Sequence, residues 1–389
     1  MLKNHIKKLY KNYKLKTQYK YYLNFYKYIE FNKIDQIIPN KIEKIYFIIP
    51  GMFKSSGGHT SILRLGTYLS GFGYEIYYIS YIDQDLNEMR NNAYSNLNNY
   101  KGTILDKSHL NNLKADIIIA TLWESVYYIK NLNGYKKYFV QDYEPYFYTY
   151  GEKFLLAQKT YELGLHMVSL GRWNKFMIEK YCNPISKMDF IEFPYEKSEY
   201  KSVERDFLQY KNKKEINLAV YVKFDEKRAP FIIQIMLKKL ESNLSDDGIK
   251  LNIYYFGANK NDKFLNGTNL GKLNTEQLFN LYKKCDFGMV ASLTNISLVP
   301  YEMIATNLPV IEFKEGTFTY FFDEESAILT SFDCKELYNK LIYYLNNNYE
   351  LESMTRHACK ILENLSWYNS AKQFNDILTS LKKNKDVKK

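Results

Sequence analysis

The chain has 389 residues, 46% apolar and 25% charged, which excludes a disordered, collagen-like or coiled-coil body and suits two domains of average size. Its formal net charge is +11 at pH 7, but residues 1–44 contribute +8 and residues 382–389 contribute +4, leaving 45–381 at −1. A neutral body argues against a duplex-reading protein, whose charge would lie on its folded reading surface, so no nucleic-acid partner is expected.

The first 38 residues read as helical. Leu2, Ile6, Leu9, Tyr13 and Leu15 fall near helical spacing, as do Tyr19, Tyr22, Leu23, Tyr26 and Ile29, with lysines between them. Such a basic, Tyr-rich extension (1–43) suits an anionic bilayer surface, or packs its Tyr face on the neighbouring domain. No run has the apolar length of a membrane span, and the N-terminus lacks the continuous apolar core of a signal peptide. Cys182, Cys285, Cys334 and Cys359 have neither zinc-site nor disulfide-framework spacing and read as thiols of a reducing cytosol. The expectation is a cytoplasmic protein, with a peripheral place on the inner membrane as the reading of its basic ends.

From residue 44 the period changes. KIYFIIP (44–50) reads as a buried strand, GMFKSSGGH (51–59) as a loop, 60–73 as a helix and YEIYYIS (74–80) as a second strand, the start of a parallel α/β sheet. ADIIIATLW (115–123), KKYFVQDYE (136–144), the start of 166–181 and MDFIEFP (188–194) supply further strands. The charged, apolar-poor stretch 195–214 reads as a linker. A second alternation follows: strands at 216–223, 249–257, 286–292 and 309–313, with helices at 229–241, 275–285, 299–307, 334–347 and 351–364. The expected domains are 44–205 and 206–365, followed by a C-terminal helix and basic tail over 366–389. Ligands of such open sheets bind outside the carboxyl ends of the strands, here in a cleft between two Rossmann-like halves.

Candidate site residues sit after those strands. Gly57 and Gly58 permit close backbone approach to a phosphate or a sugar, or simply make a tight turn. His59 follows as a helix cap or a catalytic group. Trp123 and Glu124 could stack on and bond an acceptor sugar, or be a packed aromatic and a surface acid. Asp142 is a candidate general base, with Glu144 competing for that role and a strand-end turn as the plain alternative. In SLTNISLVPYEMIATNLP (292–309) a polar loop opens a helix whose free N–H groups, beside Asn295 and Ser297, make a phosphate pocket; Thr294, Asn295 and Ser297 equally read as capping residues. Glu302 could accept from ribose hydroxyls or offset the helix dipole in the first turn.

Residues 269–312 resemble the donor-nucleotide half of GT-B glycosyltransferases of the glycogen-synthase-like clan. That group carries two glutamates eight positions apart, then Met-Ala-x-Gly-x-Pro-Val. Glu302 matches the second glutamate, Thr294 stands at the first, and Asn307 stands where glycine is usual. With GGHTSILRLGTYLSGFGYEI (57–76) and YFVQDYEPYFYTYG (138–151), the chain is similar to bacterial surface-polysaccharide rhamnosyltransferases within the clan.

The resemblance implies a GT-B fold and sugar transfer from a nucleoside diphosphate donor, dTDP-L-rhamnose or another nucleotide sugar, to a growing surface or lipid-linked glycan. It implies no metal or other cofactor. It places Lys223 and Arg228 on the donor diphosphate, lets the backbone at Gly257, Leu270 and Gly271 approach the base or ribose, and sets Asp142 facing the donor. A base at Asp142 goes with inversion; a positioning role leaves retention open. The alternatives are a hexosyl or heptosyl transferase or an epimerase on this fold, or a sugar-nucleotide-binding scaffold without turnover, a role the Thr294 departure leaves open.

Overall fold

The computed structural model describes residues 2–386. Leu2–Tyr26, which holds neither Gly nor Pro, forms one helix, α1. The helical expectation for 1–38 fails beyond it, because residues 34–36 satisfy their polar groups on the first sheet's connections. Ile34 N–H donates to the Leu163 carbonyl (2.8 Å), and the Gln36 amide exchanges hydrogen bonds with the Lys136 N–H (2.9 Å) and carbonyl (2.7 Å).

The next elements, in chain order, are β1 (Lys44–Ile49), α2 (Gly57–Gly71), β2 (Glu75–Ser80), α3 (Leu86–Asn96), β3 (Thr103–Leu105), β4 (Ile117–Ala120), α4 (Trp123–Ile129), β5 (Tyr135–Val140), α5 (Glu152–Lys159), β6 (His166–Leu170), α6 (Arg172–Tyr181) and β7 (Met188–Ile191). Their seven strands lie in the order β3-β2-β1-β4-β5-β6-β7, and β1 pairs in parallel with both β2 and β4. Burial on both faces explains why β1 and β4 read as apolar runs, and β5 is buried throughout although it carries Lys136 and Lys137.

The second alternation gives β8 (Glu215–Tyr221), α7 (Pro230–Asp246), β9 (Lys250–Phe256), β10 (Thr268–Asn269), α8 (Thr275–Lys284), β11 (Phe287–Met289), α9 (Leu298–Ala305), β12 (Val310–Phe313), β13 (Ile328–Thr330), α10 (Cys334–Asn346), α11 (Asn348–Glu363) and α12 (Trp367–Asp386). This sheet is parallel throughout, in the order β10-β9-β8-β11-β12-β13. Ile216, Leu218 and Val220 of β8 pack with Ile233, Leu237 and Leu240 of α7 and Leu337 and Leu341 of α10. Each such side chain contributes about 1.5–3 kcal/mol on burial. The short β3, β10 and β13, and α3, carry too few apolar residues to be legible as periodic runs.

Two compact units result. One comprises the chain up to Val168, Ile178–Asp189 and the segment from Leu378; the other comprises Ser169–Met177 and Phe190–Ile377. In each sheet one strand pair marks the place where the strand order reverses: β1 and β4 in the first, β8 and β11 in the second. Connections leave such a pair in opposite directions, which opens a crevice at its carboxyl ends.

Candidate functional site

In the second unit the loops after β8 and β11, at the reversal point, carry Lys223, Arg228, Thr294, Asn295 and Ser297. The chain leaves β11 through residues 290–297 and enters α9 with Ser297 as N-cap. Its polar groups are held from three directions, by Arg228, Thr317 and Glu312. Arg228 Nη1 donates to the Ala291 carbonyl (3.0 Å) and Nη2 to that of Asn295 (3.5 Å). Thr317 donates from its N–H (2.7 Å) and hydroxyl (3.1 Å) to the Ser292 carbonyl, and its hydroxyl also reaches the Thr294 carbonyl. Ser292 N–H (3.1 Å) and Oγ (2.6 Å) donate to the Glu312 carboxylate. The α9 N-terminus carries the positive end of the helix dipole, and the buried Ser297 hydroxyl has no hydrogen-bond partner among the described residues.

Arg228 is 7% exposed, and its backbone precedes Ala229 in the left-handed region (φ 45°), a conformation that costs an alanine about 1–2 kcal/mol. The two carbonyls engage two of its five N–H donors. Lys223 is exposed, and both cations flank the Tyr221 ring, with Nζ of Lys223 at 5.8 Å and the Arg228 guanidinium carbon at 5.9 Å from its centroid.

The expected function of Gly257 changes. Its φ is +96°, and a Cβ there would lie 2.6 Å from the Tyr221 ring, so the space that glycine clears is filled by tyrosine. Gly271 accepts from the Gly257 N–H (2.9 Å) and Leu270 donates to the Tyr255 carbonyl (2.8 Å), extending the pairing beyond β10. Glu302 lies in the second turn of α9, which removes the first-turn dipole reading, and its carboxylate accepts from the buried Tyr282 hydroxyl (3.2 Å). Asn307 follows the α9 C-cap with φ +55° and donates to Ser202 Oγ (2.7 Å) and the Val203 carbonyl (2.9 Å). Asparagine is the residue that best replaces glycine in that conformation, so its presence there leaves the helix end intact.

In the first unit α2 opens at Gly57 behind the cap Ser56, whose side chain accepts from the His59 N–H. A Cβ on Gly58 would lie 3.6 Å from the Gln141 side chain, which places the start of α2 beside the end of β5. His59 is buried, and burial lowers its pKa to about 4, so the ring is neutral; Phe53 N–H donates to its Nδ1 (3.3 Å), tying it to the loop after β1. Asp142 follows β5 and accepts from the Tyr143 N–H (2.9 Å).

Glu144 is 1% exposed, and burial pushes its carboxyl up to about 8. It accepts from the Trp123 N–H (2.6 Å) at the start of α4, so it serves that helix terminus and is protonated at neutral pH. Trp123 is the packed aromatic of its two expected roles, whereas the Glu124 carboxylate is held by tyrosine hydroxyls. The indole is fully buried, meets Phe25 of α1 edge-on (5.5 Å) and donates to the Tyr148 hydroxyl (2.9 Å). Glu124 accepts from the hydroxyls of Tyr21 and Tyr81. Both residues dock α1.

The structure thus gathers Arg228, Thr294, Asn295 and Ser297 on one loop system and Gly58 with the end of β5 on another. Sequence reasoning missed Ser292, Glu312 and Thr317; the available signal was a carboxylate inside the apolar strand run PVIEF. Among the described residues no group of three or more His, Cys, Asp or Glu side chains is placed to hold a metal ion.

No family model matches the chain. It is 26% identical over 215 residues, 50% of its length, to the O-antigen biosynthesis protein RfbC of Myxococcus xanthus, of whose length it spans 15%. Among solved structures it is similar to sucrose-phosphate synthase from Thermosynechococcus elongatus (TM-score 0.65, 13% identity, covering 87% of this chain and 99% of that one). It is also similar to Anabaena HepE in complex with UDP-glucose (TM-score 0.66, 12% identity, 87% and 99%) and to a Staphylococcus aureus TarM mutant in complex with UDP and other ligands (0.66, 8%, 87% and 100%). The shared fold is GT-B: two parallel sheets, each flanked by helices, with a helix before the first.

Proposed function

We propose that the chain is a nucleotide-sugar-dependent glycosyltransferase, with the donor bound by the second unit and the acceptor by the first. The observation that carries this reading is the loop 291–297: it leaves β11 at the reversal point of the second sheet, is held by Arg228, and opens α9. As the bond from the anomeric carbon to the diphosphate breaks, negative charge develops on the leaving oxygen. Arg228 and Lys223 stabilise it as preorganised cations with no metal in the reading.

The acceptor hydroxyl oxygen forms the new bond and gives up its proton. Asp142 is assigned to that proton or to the acceptor's orientation, because Glu144 is protonated and spent on α4. Retention is open if Asp142 only positions.

The finer reading takes dTDP-L-rhamnose as donor and a growing surface polysaccharide or lipid-linked glycan as acceptor. Similarity to an O-antigen biosynthesis protein supports the glycan class. The lysines of α1, together with exposed Leu9, Tyr10 and Tyr13, support a place at an anionic membrane surface.

Calorimetric titration with dTDP-, UDP- and GDP-sugars, followed by product analysis, tests the proposal. Binding with transfer supports it. Binding without transfer or hydrolysis supports the scaffold reading that Thr294 raises, and binding of none overturns the donor site.

A further inference from the structure

Glu312 is the third residue of β12 and is completely buried. Its Oε1 accepts from Ser292 Oγ (2.6 Å), and its Oε2 accepts from the N–H groups of Ser292 (3.1 Å) and Phe313 (3.4 Å). Its neighbour on β13 is Leu329, and the Arg228 guanidinium, which donates to the carbonyl of Ala291 next to Ser292, acts on it electrostatically. A carboxyl group so placed shares the Arg228 field with whatever anion occupies the loop.

We propose that Glu312 is a positioning residue of the donor site, acting through Ser292 and Arg228, and that it takes up a proton when a nucleoside diphosphate sugar binds. The inference rests on the donor reading above. Burial lifts this carboxyl to about 7, against the favourable hydrogen bonds and Arg228, so both of its forms are populated near neutral pH. A diphosphate brought to Arg228 adds negative charge nearby and favours the neutral acid. The proton comes from solvent. Once on Oε1, it donates to Ser292 Oγ, reversing that hydrogen bond and releasing the serine hydroxyl hydrogen toward another acceptor.

The test is titration of the full chain with UDP-glucose and dTDP-glucose in two buffers of unlike ionisation enthalpy, repeated from pH 6.5 to 8.5. Nucleotide sugars suit it because their diphosphate carries no proton that titrates in this range. Wild type is expected to take up a proton on binding and to lose affinity above pH 7 by up to about tenfold per pH unit. Glu312→Gln should bind with neither proton uptake nor pH slope. Ser292→Ala removes a donor to the charged form and should move the onset of the slope to higher pH.

Uptake that persists in Glu312→Gln, or binding by wild type without uptake, overturns the inference and leaves the donor site standing. No binding by wild type of either sugar nucleotide, or of GDP-mannose titrated in the same way, overturns both. If circular dichroism shows Glu312→Gln unfolded, an unmoved slope in Ser292→Ala overturns the inference.

Discussion

The Tyr21 hydroxyl on α1 donates to the Glu124 carboxylate at the start of α4, and Tyr81 donates to the other oxygen of the same group at 2.9 Å. The N-terminal helix is therefore part of the first unit through its last turns. Glu124→Ala leaves two phenolic hydroxyls without their acceptor and should cost about 1–3 kcal/mol. Phe25→Ala removes a ring packed on Trp123 and Tyr127 and should cost about 3–5 kcal/mol. Urea unfolding midpoints check both, and an unmoved midpoint for Phe25→Ala would show that the helix is not docked.

The same packing sets where the extension can be cut. Residues 9–20 of α1 are exposed, whereas Phe25 and Ile34 are buried. Deleting residues 1–19 should leave the melting temperature nearly unchanged while weakening binding to vesicles rich in anionic lipid. Adding salt should weaken wild-type binding in the same way. Deleting 1–38 should lower the melting temperature as well. Full vesicle binding by the shorter deletion would remove the membrane assignment.

Arg228 has two tasks, holding the Ala291 and Asn295 carbonyls and presenting positive charge. Arg228→Lys keeps the charge and loses the planar fork, so donor affinity should fall about tenfold or more. Arg228→Ala should abolish transfer and cost about 1–3 kcal/mol of stability through the freed carbonyls. Glu302→Ala, which loses the Tyr282 hydroxyl contact, should also abolish transfer while the chain stays folded. Nucleotide-sugar titration and thermal melts separate the tasks; wild-type turnover in either alanine variant would move the donor site elsewhere.

Lys137 is fully buried on β5 with Nζ 3.0 Å from His166 Nδ1, while His166 Nε2 lies 2.7 Å from Asp189. Burial lowers Lys137 to about 7 and His166 to about 4. In the unfolded chain Lys137 holds its proton to its ordinary value of 10.5. Between pH 7 and that value the unfolded state binds more protons, so stability should rise with pH, by about 1.4 kcal/mol per unit at most. Lys137→Met should flatten the slope between pH 7 and 9 and raise stability at pH 7, with Tyr135 left as donor to His166. Denaturant unfolding across that range decides it; a slope unchanged in the variant would assign the effect to other groups.

The two α/β alternations were legible because buried parallel strands must be apolar on both faces and amphipathic helices repeat at 3.6 residues. The loop after β11 was legible as well, because strand–polar loop–helix is a local pattern. Packing was one of two roles open to Trp123, and which partners Trp123, Glu124 and Gly257 meet was not legible. Each lies where a ligand could be met, and each is instead met by a distant part of its own unit: Phe25, Tyr21 and Tyr221.

By itself, the sequence determined the two main strand–helix alternations, the neutral body between basic ends, and the loops that could carry chemistry. Those properties depend on local periodicity and on counting charges. Only the tertiary structure decided which polar groups are already spent. Arg228 clamps a loop, Glu144 serves a helix terminus, and Glu312 lies buried with its carboxylate bonded to Ser292. Hydrogen-bond partners and desolvation depend on residues tens of positions away, which no local pattern encodes.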